Sequence, residues 1–457
     1  NRAKYIDSKL TATNFSVSND KGLEISGFTV HSSTTNELEG QIDRTYIGTN
    51  ALENTSEFSL QENELELYKF SLEYEPSEIL QLEYNILLNK SDQYENNDLT
   101  SMYGRQDNRM QETLDITRSQ KPQSLNQEFK LYFTLADDHI FSFEAQHLDQ
   151  EENPFSRAIR DRNPFTRLIP FSSSVDKYDV TQERLVQTAK LEAKLDYYYL
   201  LNDTSNINLS LGVTDVKQDF DSSFFQILDN GSLLNFNDPT FNNDVSFDFS
   251  DAYIALNYRL RTGIFTIDPG LTLHYYKTKN TQLGTSFERN ISDVRPNLRI
   301  NLQFKKSESL RLTYRKNTQF TDINNLAEGF VFSNYNSIFQ GNRELEAAVV
   351  NNYNLNYRSI NQFTFTNIFA NANYSKRSNS IQSRANINGI DAIRTSTNSN
   401  FPRETYSLSG RIDKRFKNFK LNFSTRFNYS DFTNEVNNQI RNSKSLNQNY
   451  SASIETN

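Results

Sequence analysis

The stretch FKLNFSTRFNY at residues 419–429 separates its side chains into two sets. Phe419, Leu421, Phe423, Phe427 and Tyr429 fall on one face. Lys420, Asn422, Ser424, Arg426 and Asn428 fall on the other. A period of two is the signature of a β-strand with one apolar side. The pattern recurs along the chain. Ala252, Ile254, Leu256, Tyr258 and Leu260 oppose Asp251, Asn257 and Arg259, and Leu298, Ile300, Leu302 and Phe304 oppose Asn297, Arg299, Asn301 and Gln303. Phe129, Leu131, Phe133 and Leu135 repeat it, as do Leu80, Leu82, Tyr84, Ile86 and Leu88. These runs reach about 10 residues, the length of a tilted transmembrane strand, whereas strands of soluble sheets average about five or six.

The connections alternate too. Short polar turns are predicted at residues 19–22, 76–78, 137–138, 202–204, 261–263, 306–308, 359–361 and 417–418, each between two alternating runs. Between successive hairpins lie polar stretches rich in Asn, Asp and Ser, at residues 91–123, 150–179, 218–244, 317–346 and 375–401. Short turns at one end and long loops at the other are the asymmetry of outer-membrane barrels, with the short turns periplasmic. Two strands per short turn give about 16, and a run near residues 445–454 adds one more.

Composition agrees. Hydrophobic residues make up 36% of the 457 residues, yet aromatics reach 13%, and mean hydropathy is −0.72. A soluble core of this size draws on more Leu, Val and Ala, and a disordered chain lacks aromatics. In a barrel only alternate residues meet lipid, and aromatic girdles mark the interfaces. Trp is absent, so Tyr and Phe are expected to form both girdles. Cys is absent as well, which excludes disulfides and thiol chemistry. A net charge of −9 gives no basic footprint for nucleic acid. No stretch is apolar enough for a transmembrane helix, and the opening NRAKYIDSKL has no signal-peptide core.

One segment resembles a known family. RPNLRINLQFKKSESLRLTYRKNT (295–318) is similar to a hairpin of TonB-dependent receptor barrels of Bacteroidetes type. FQGNRELEAAVVNNYNLNYR (339–358) resembles the loop-to-strand signature of that family, with Gly341, Asn342, Leu345, Asn352, Tyr353, Leu355 and Tyr357 matching. Arg343 and Ala347 stand where the family has Pro, and residues 319–321 lack another Pro, which points to a divergent branch. The resemblance implies import of a scarce nutrient such as an iron chelate, cobalamin-like molecule, oligosaccharide or peptide. It implies a plug inside the barrel and energy supplied by the TonB complex through an N-terminal segment. No plug or TonB-contacting residue can be named in this chain. Outer-membrane lipid and a surface lipoprotein are further expected partners.

Four histidines, His31, His139, His147 and His274, come with no paired nucleophile motif, so no enzymatic activity and no cofactor is expected. The segment 150–179 contains NPFSR and NPFTR and is locally basic through Arg157, Arg160, Arg162 and Arg167. Guanidinium groups bind carboxylate or phosphate bidentately, so this loop is a candidate site for an anionic ligand or lipopolysaccharide headgroup. The plainer alternative is a solvated loop shaped by two Asn-Pro turns. DNGSLLNFNDPTFNND (229–244) is rich in oxygen ligands suited to Ca²⁺ but lacks EF-hand spacing, so a metal-free polar loop is expected.

The whole reading is an all-β chain, residues 1–457 forming part of an antiparallel up-and-down transmembrane β-barrel. About 16–18 strands of an expected 22 are present, with strands missing at both ends. The expected role is the barrel of a TonB-dependent outer-membrane transporter. A passive porin or other outer-membrane barrel is the first alternative, and a secreted β-rich adhesin the second.

Overall fold

The computed structural model describes residues 2–46, 50–105, 108–163, 165, 168–236, 238–334, 336–388 and 391–456. The alternating runs become β1 (Arg2–Ser18), β2 (Leu23–Tyr46), β3 (Ala51–Ser77), β4 (Leu80–Arg105), β5 (Asn108–Gln120), β6 (Gln123–Ala136), β7 (His139–Glu152), β8 (Phe155–Arg160), β9 (Tyr178–Asn202) and β10 (Ser205–Ile227). A short β11 (Leu233–Asn235) precedes β12 (Asn243–Thr262), β13 (Phe265–Gln282), β14 (Thr285–Lys305) and β15 (Glu308–Gln319). Then come a one-turn helix α1 (Ile323–Leu326), β16 (Phe330–Asn334), β17 (Ser337–Gln340), β18 (Ala348–Asn361), β19 (Thr366–Ser378), β20 (Ile381–Asn388), β21 (Asp391–Asn398), β22 (Arg403–Arg415), β23 (Phe419–Val436) and β24 (Gln439–Thr456).

One antiparallel wall contains most of them. Strands β5 and β6 continue each other along β4, since Gln93 faces Gln120 and Lys90 faces Gln123 in unbroken register. Strands β7 and β8 do the same along β9, where Val186 faces Glu152 and Glu183 faces Phe155. The interruptions are Lys121-Pro122 and Asn153-Pro154, because proline has no N–H to give the ladder. With these joined, and with β11, β16, β17, β20 and β21 set aside, the wall counts seventeen strands. Among the described residues β1 pairs only with β2 and β24 only with β23, so the wall has two open edges.

The register assigns the two faces. Leu256 faces Leu209 on β10 and Leu271 on β13; Leu355 faces Leu312 on β15 and Ala372 on β19. This apolar face is open, with Leu211, Ile254, Leu256, Leu273, Leu355 and Leu408 among its exposed side chains. A soluble sheet would bury it; lipid solvates it. Aromatic rows bound the apolar band. Tyr314, Tyr353, Tyr374, Tyr406 and Tyr429 sit on consecutive wall strands with ring centroids 4.8, 5.8, 4.7 and 6.0 Å apart. At the short-turn end lie Phe265, Phe304, Phe365 and a stacked Phe416–Phe419 pair at 4.6 Å. Tyr at one level and Phe at the other supply the girdles in the absence of Trp.

The polar face lines the lumen. Asn257 accepts from Asn297 at 3.4 Å and donates to Asn208 at 3.3 Å, forming an amide ladder over β10, β12 and β14. The strand between carries Gly270, where a Cβ would come within 2.1 Å of Asn257 Oδ1 and 2.5 Å of Asn297 Nδ2. The missing side chain makes room for the ladder.

Two expectations need correction. Residues 91–123 and 150–179 are read from sequence as loops, yet β4 runs to Arg105 and pairs with β5, and β8 extends the wall to Arg160. At 27 residues, β3 is far longer than a membrane crossing needs. Above the membrane the outer face meets water and the inner face buries polar residues such as Glu53 and Ser101 beside Leu99 and Leu114, so lipid no longer imposes an apolar alternation. The turn predicted at 359–361 lies at residues 362–365. Phe363 and Phe365 look like a continuing strand, but Phe363 is a turn residue with 97% of its surface exposed.

Candidate functional site

The apolar cores of this molecule lie at its mouth. One cluster gathers Phe165, Ile169 and Phe171 from the segment after β8, Phe236 and Phe241 from the segment after β10, and Phe330 and Ile338 from β16 and β17, against Val180 and Phe224 of the wall. A second packs Ile323, Leu326 and Ala327 around α1, with Val331 and Leu345, against Val186, Phe220, Val245 and Phe247. By register, all six wall residues point to the lumen, on the face of Asn208 and Asn257. The segments connecting the wall strands therefore fold inward as a canopy over the lumen mouth, with a dry core of its own.

Glutamines fasten the canopy to the wall. Gln182 on β9, wholly buried, donates to Phe330 O at 2.8 Å and accepts from Phe332 N at 2.9 Å. Gln282 on β13 donates to Leu326 O at 3.0 Å and accepts from Glu328 N at 3.0 Å. Gln226 on β10 donates to Ser172 O at 3.2 Å and accepts from Ser172 N at 2.8 Å. Each primary amide answers one backbone donor and one acceptor, as a neighbouring strand would. Without it those peptide groups would be buried and unpaired.

Ion pairs line the mouth, two between neighbouring strands and one between distant segments. Arg160 and Glu112, each 1% exposed, meet through two hydrogen bonds of 2.8 and 3.1 Å. Arg162 forks onto Asp391 at 2.6 and 2.8 Å, approaches Glu112 at 3.5 Å and stacks over the Tyr103 ring at 5.1 Å. Burial disfavours the Arg162 charge, but hydrogen bonding and attraction from Asp391, aided by Glu112, more than offset it and hold its pKa above the ordinary guanidinium value. Arg157 binds Asp179 at 2.9 and 2.5 Å. Three of the four arginines singled out by sequence are thus engaged by carboxylates, and Arg167 lies outside the described residues. The partners Glu112, Asp179 and Asp391 carry no motif, and Asp391 is 229 positions from Arg162.

The signature segment has a structural reason. Gly341 donates to Ala327 O at 2.7 Å and Asn342 to Asn325 O at 2.8 Å. A Cβ at Gly341 would stand 2.4 Å from Ala327 O, a backbone atom that cannot swing away. Arg343 pairs with Glu328 and donates to Thr285 Oγ1 at 2.6 Å, so it anchors the loop by charge. In segment 229–244 the oxygens serve local turns: Asp238 accepts from Thr240 N and Asn230 from Ser232 N, both at 2.9 Å. Among the described residues no group of three metal-ligating side chains converges. His274 lies on the lumen face between Asp251, at 3.0 Å, and Arg295, at 3.4 Å.

A lipid-facing band, a polar lumen and segments folded over one end define the wall of an outer-membrane β-barrel. Residues 134–457, more than half of the chain, match the model of the Outer membrane protein beta-barrel family, and the chain belongs to that family. It is a protein of the outer membrane. Among solved structures it resembles the outer membrane transporter YddB from Escherichia coli, with a TM-score of 0.55 at 10% identity, over 98% of this chain and 61% of that one. It also resembles the copper transporter OprC, with a TM-score of 0.53 at 12% identity, over 94% and 62%. For the siderophore receptor PiuA from Acinetobacter baumannii the values are 0.52 and 10%, over 94% and 64%. At such identities the likeness is one of fold. The chain spans less than two thirds of the length of each. No curated protein sequence matches it.

Proposed function

We propose that this chain is the barrel wall of a TonB-dependent importer, taking up a scarce nutrient such as an iron chelate, oligosaccharide, peptide or cobalamin-like molecule. The observation that carries the reading is the canopy. A passive porin leaves its lumen open to water, whereas here two apolar clusters and three glutamine clamps hold segments folded inward at the mouth, which supports a covered lumen. Such a cover has to be moved for solute to pass, and movement against this packing calls for an energy supply. The printed names of OprC and YddB as transporters and of PiuA as a siderophore receptor support it, as does the Gly341-Asn342 signature. A plug in the lumen, a TonB-contacting segment and wall strands beyond β1 and β24 complete this proposal. In it Arg160 is a strut of the canopy. Arg157 and Arg162, partly open to solvent, contribute to ligand capture by exchanging a carboxylate partner.

The test is uptake of a labelled nutrient panel by cells expressing the full-length protein, with and without a protonophore. Uptake abolished by collapse of the proton gradient is expected. Passage that continues in de-energised cells would replace this reading with the porin.

A further inference from the structure

The lumen wall below the canopy carries arginines without counter-ions. Arg299 on β14, Arg311 and Arg315 on β15 and Arg358 on β18 all lie on the lumen face. Arg299 faces Thr313, so Arg311 and Arg315 are its two diagonal neighbours across the strand pair. Arg311 faces Asn356, which makes Arg358 its own diagonal neighbour. Diagonal pairs of this kind stand about 7–8 Å apart at Cα, within reach of long side chains. None of the four makes an ion pair or a side-chain hydrogen bond among the described residues. The contrast is local: Arg259 is held by Asp268 at 2.7 Å and Arg295 by Asp293 at 3.1 Å.

Four like charges on three adjacent strands repel each other, so the cluster works against folding. Asp268, already bound to Arg259, faces Arg299 from β13, and the other surroundings are amides and hydroxyls: Asn297, Asn301, Thr313, Asn354 and Asn356. Arg299 and Arg315 open into a concavity of about 720 Å³ shared with Asn257 and Thr313, where Asp268 is the one carboxylate against Arg259, Arg295, Arg299 and Arg315. Small-molecule sites have volumes of roughly 300–1,000 Å³. Arginine rather than lysine at all four positions supplies planar forks that match carboxylate and phosphate oxygens.

We infer that this concavity binds a small solute bearing carboxylate or phosphate groups, with Arg299 and Arg315 as its primary ligands. Arg311 and Arg358, nearer the short-turn end, continue the site as a track along which the anion leaves. Rings of Arg or Lys select anions in the same way in other pores. The inference rests on the import reading for its role as a cargo site and narrows the cargo to anions. It does not depend on how import is energised.

The experiment is calorimetric titration of the full-length protein, folded in detergent, with inorganic pyrophosphate and with tricarballylate. Saturable binding of at least one probe is expected. Arg299→Gln/Arg315→Gln should weaken it at least tenfold, while Arg426→Gln on β23 leaves it unchanged. Arg299→Lys/Arg315→Lys, which keeps the charge and loses the fork, should fall between. Because unpaired like charges are removed, the Gln variant should melt no lower than the parent. Absence of binding to the folded parent, or binding undiminished in the Gln variant, would overturn the site. So would a Gln variant that no longer folds, since the arginines would then be held by contacts of the fold, such as an acidic protein surface in the lumen. Failure here leaves energised import standing, and failure of energised import leaves the anion site standing.

Discussion

Arg162 and Asp391 meet by two parallel hydrogen bonds, 2.6 and 2.8 Å long, although 229 positions separate them. The pair joins the segment after β8 to the start of β21, so it ties two sides of the mouth together. Asp391→Asn removes the charge and should weaken the canopy by about 1.5–3 kcal/mol, the worth of hydrogen bonds to charged groups. Glu112→Gln should cost more, about 3–5 kcal/mol, because it removes the carboxylate from an ion pair buried on both sides. Limited proteolysis of the intact protein should show faster cleavage at the mouth in both, with the heat-modifiable gel shift of the barrel retained.

The glutamine clamps make a sharper test of closure. Gln182→Leu conserves volume but leaves Phe330 O and Phe332 N without their partner. A buried group so orphaned costs about 1–3 kcal/mol. Hydrogen exchange at β16 and β17 should accelerate, while exchange in β12 and β13 stays as in the parent. Unchanged exchange at β16 would mean that the apolar clusters alone hold the canopy.

Acid should loosen one corner first. Asp161 accepts from the Thr113 hydroxyl at 2.6 Å and the Thr113 amide at 2.8 Å, and these bonds hold its carboxyl below the ordinary carboxylate range. A depressed folded-state pKa means that this stabilisation is complete above the unfolded value and is lost as pH falls through the folded one. Thr113→Val removes the hydroxyl bond, so opening around residue 161 should begin at a higher pH in that variant. Exchange measured over a descending pH series reads the shift directly.

The two faces of β12 predict opposite responses to the same substitution. Leu256 is 53% exposed on the apolar side, where Arg at the bilayer midplane costs about 2–4 kcal/mol. Asn257 lies on the lumen side within the amide ladder. Leu256→Arg should lower the yield of refolding into lipid bilayers, and Asn257→Arg should be tolerated. Equal yields would reverse the assignment of faces.

The wall was legible where lipid dictates it. At residues 419–429 the lipid face carries Phe419, Leu421, Phe423, Phe427 and Tyr429, so the strand, its face and its turn can be read from residue types alone. Residues 108–120 follow no such demand, because above the bilayer the outer face of β5 meets water while its inner face buries Glu112 beside Leu114 and Ile116. The canopy was less legible still. A lone Gln182 in a strand looks like any polar lumen residue until the backbone of β16 lies against it. The basic segment was visible through Arg157, Arg160 and Arg162, but Glu112 and Asp179 are set opposite them by the pairing of β8 with β5 and β9, and Asp391 comes from β21, so residue types alone do not name the partners.

Pro122 and Pro154 interrupt two neighbouring strands at nearly the same height. The patch is made by Ser91 N, which donates to Pro122 O at 3.0 Å, by Arg184 N, which donates to Pro154 O at 3.0 Å, and by Lys121 N, which donates to Asn153 Oδ1 at 2.7 Å. Each proline accepts from the strand on one side through its carbonyl but has no N–H to donate to the ladder. Unzipping that begins at the extracellular rim between these strands therefore halts at this level and has to nucleate afresh below it. The canopy side can fray and re-form while the part within the bilayer keeps its bonds, which gives a moving cover and a permanent wall to one continuous sheet.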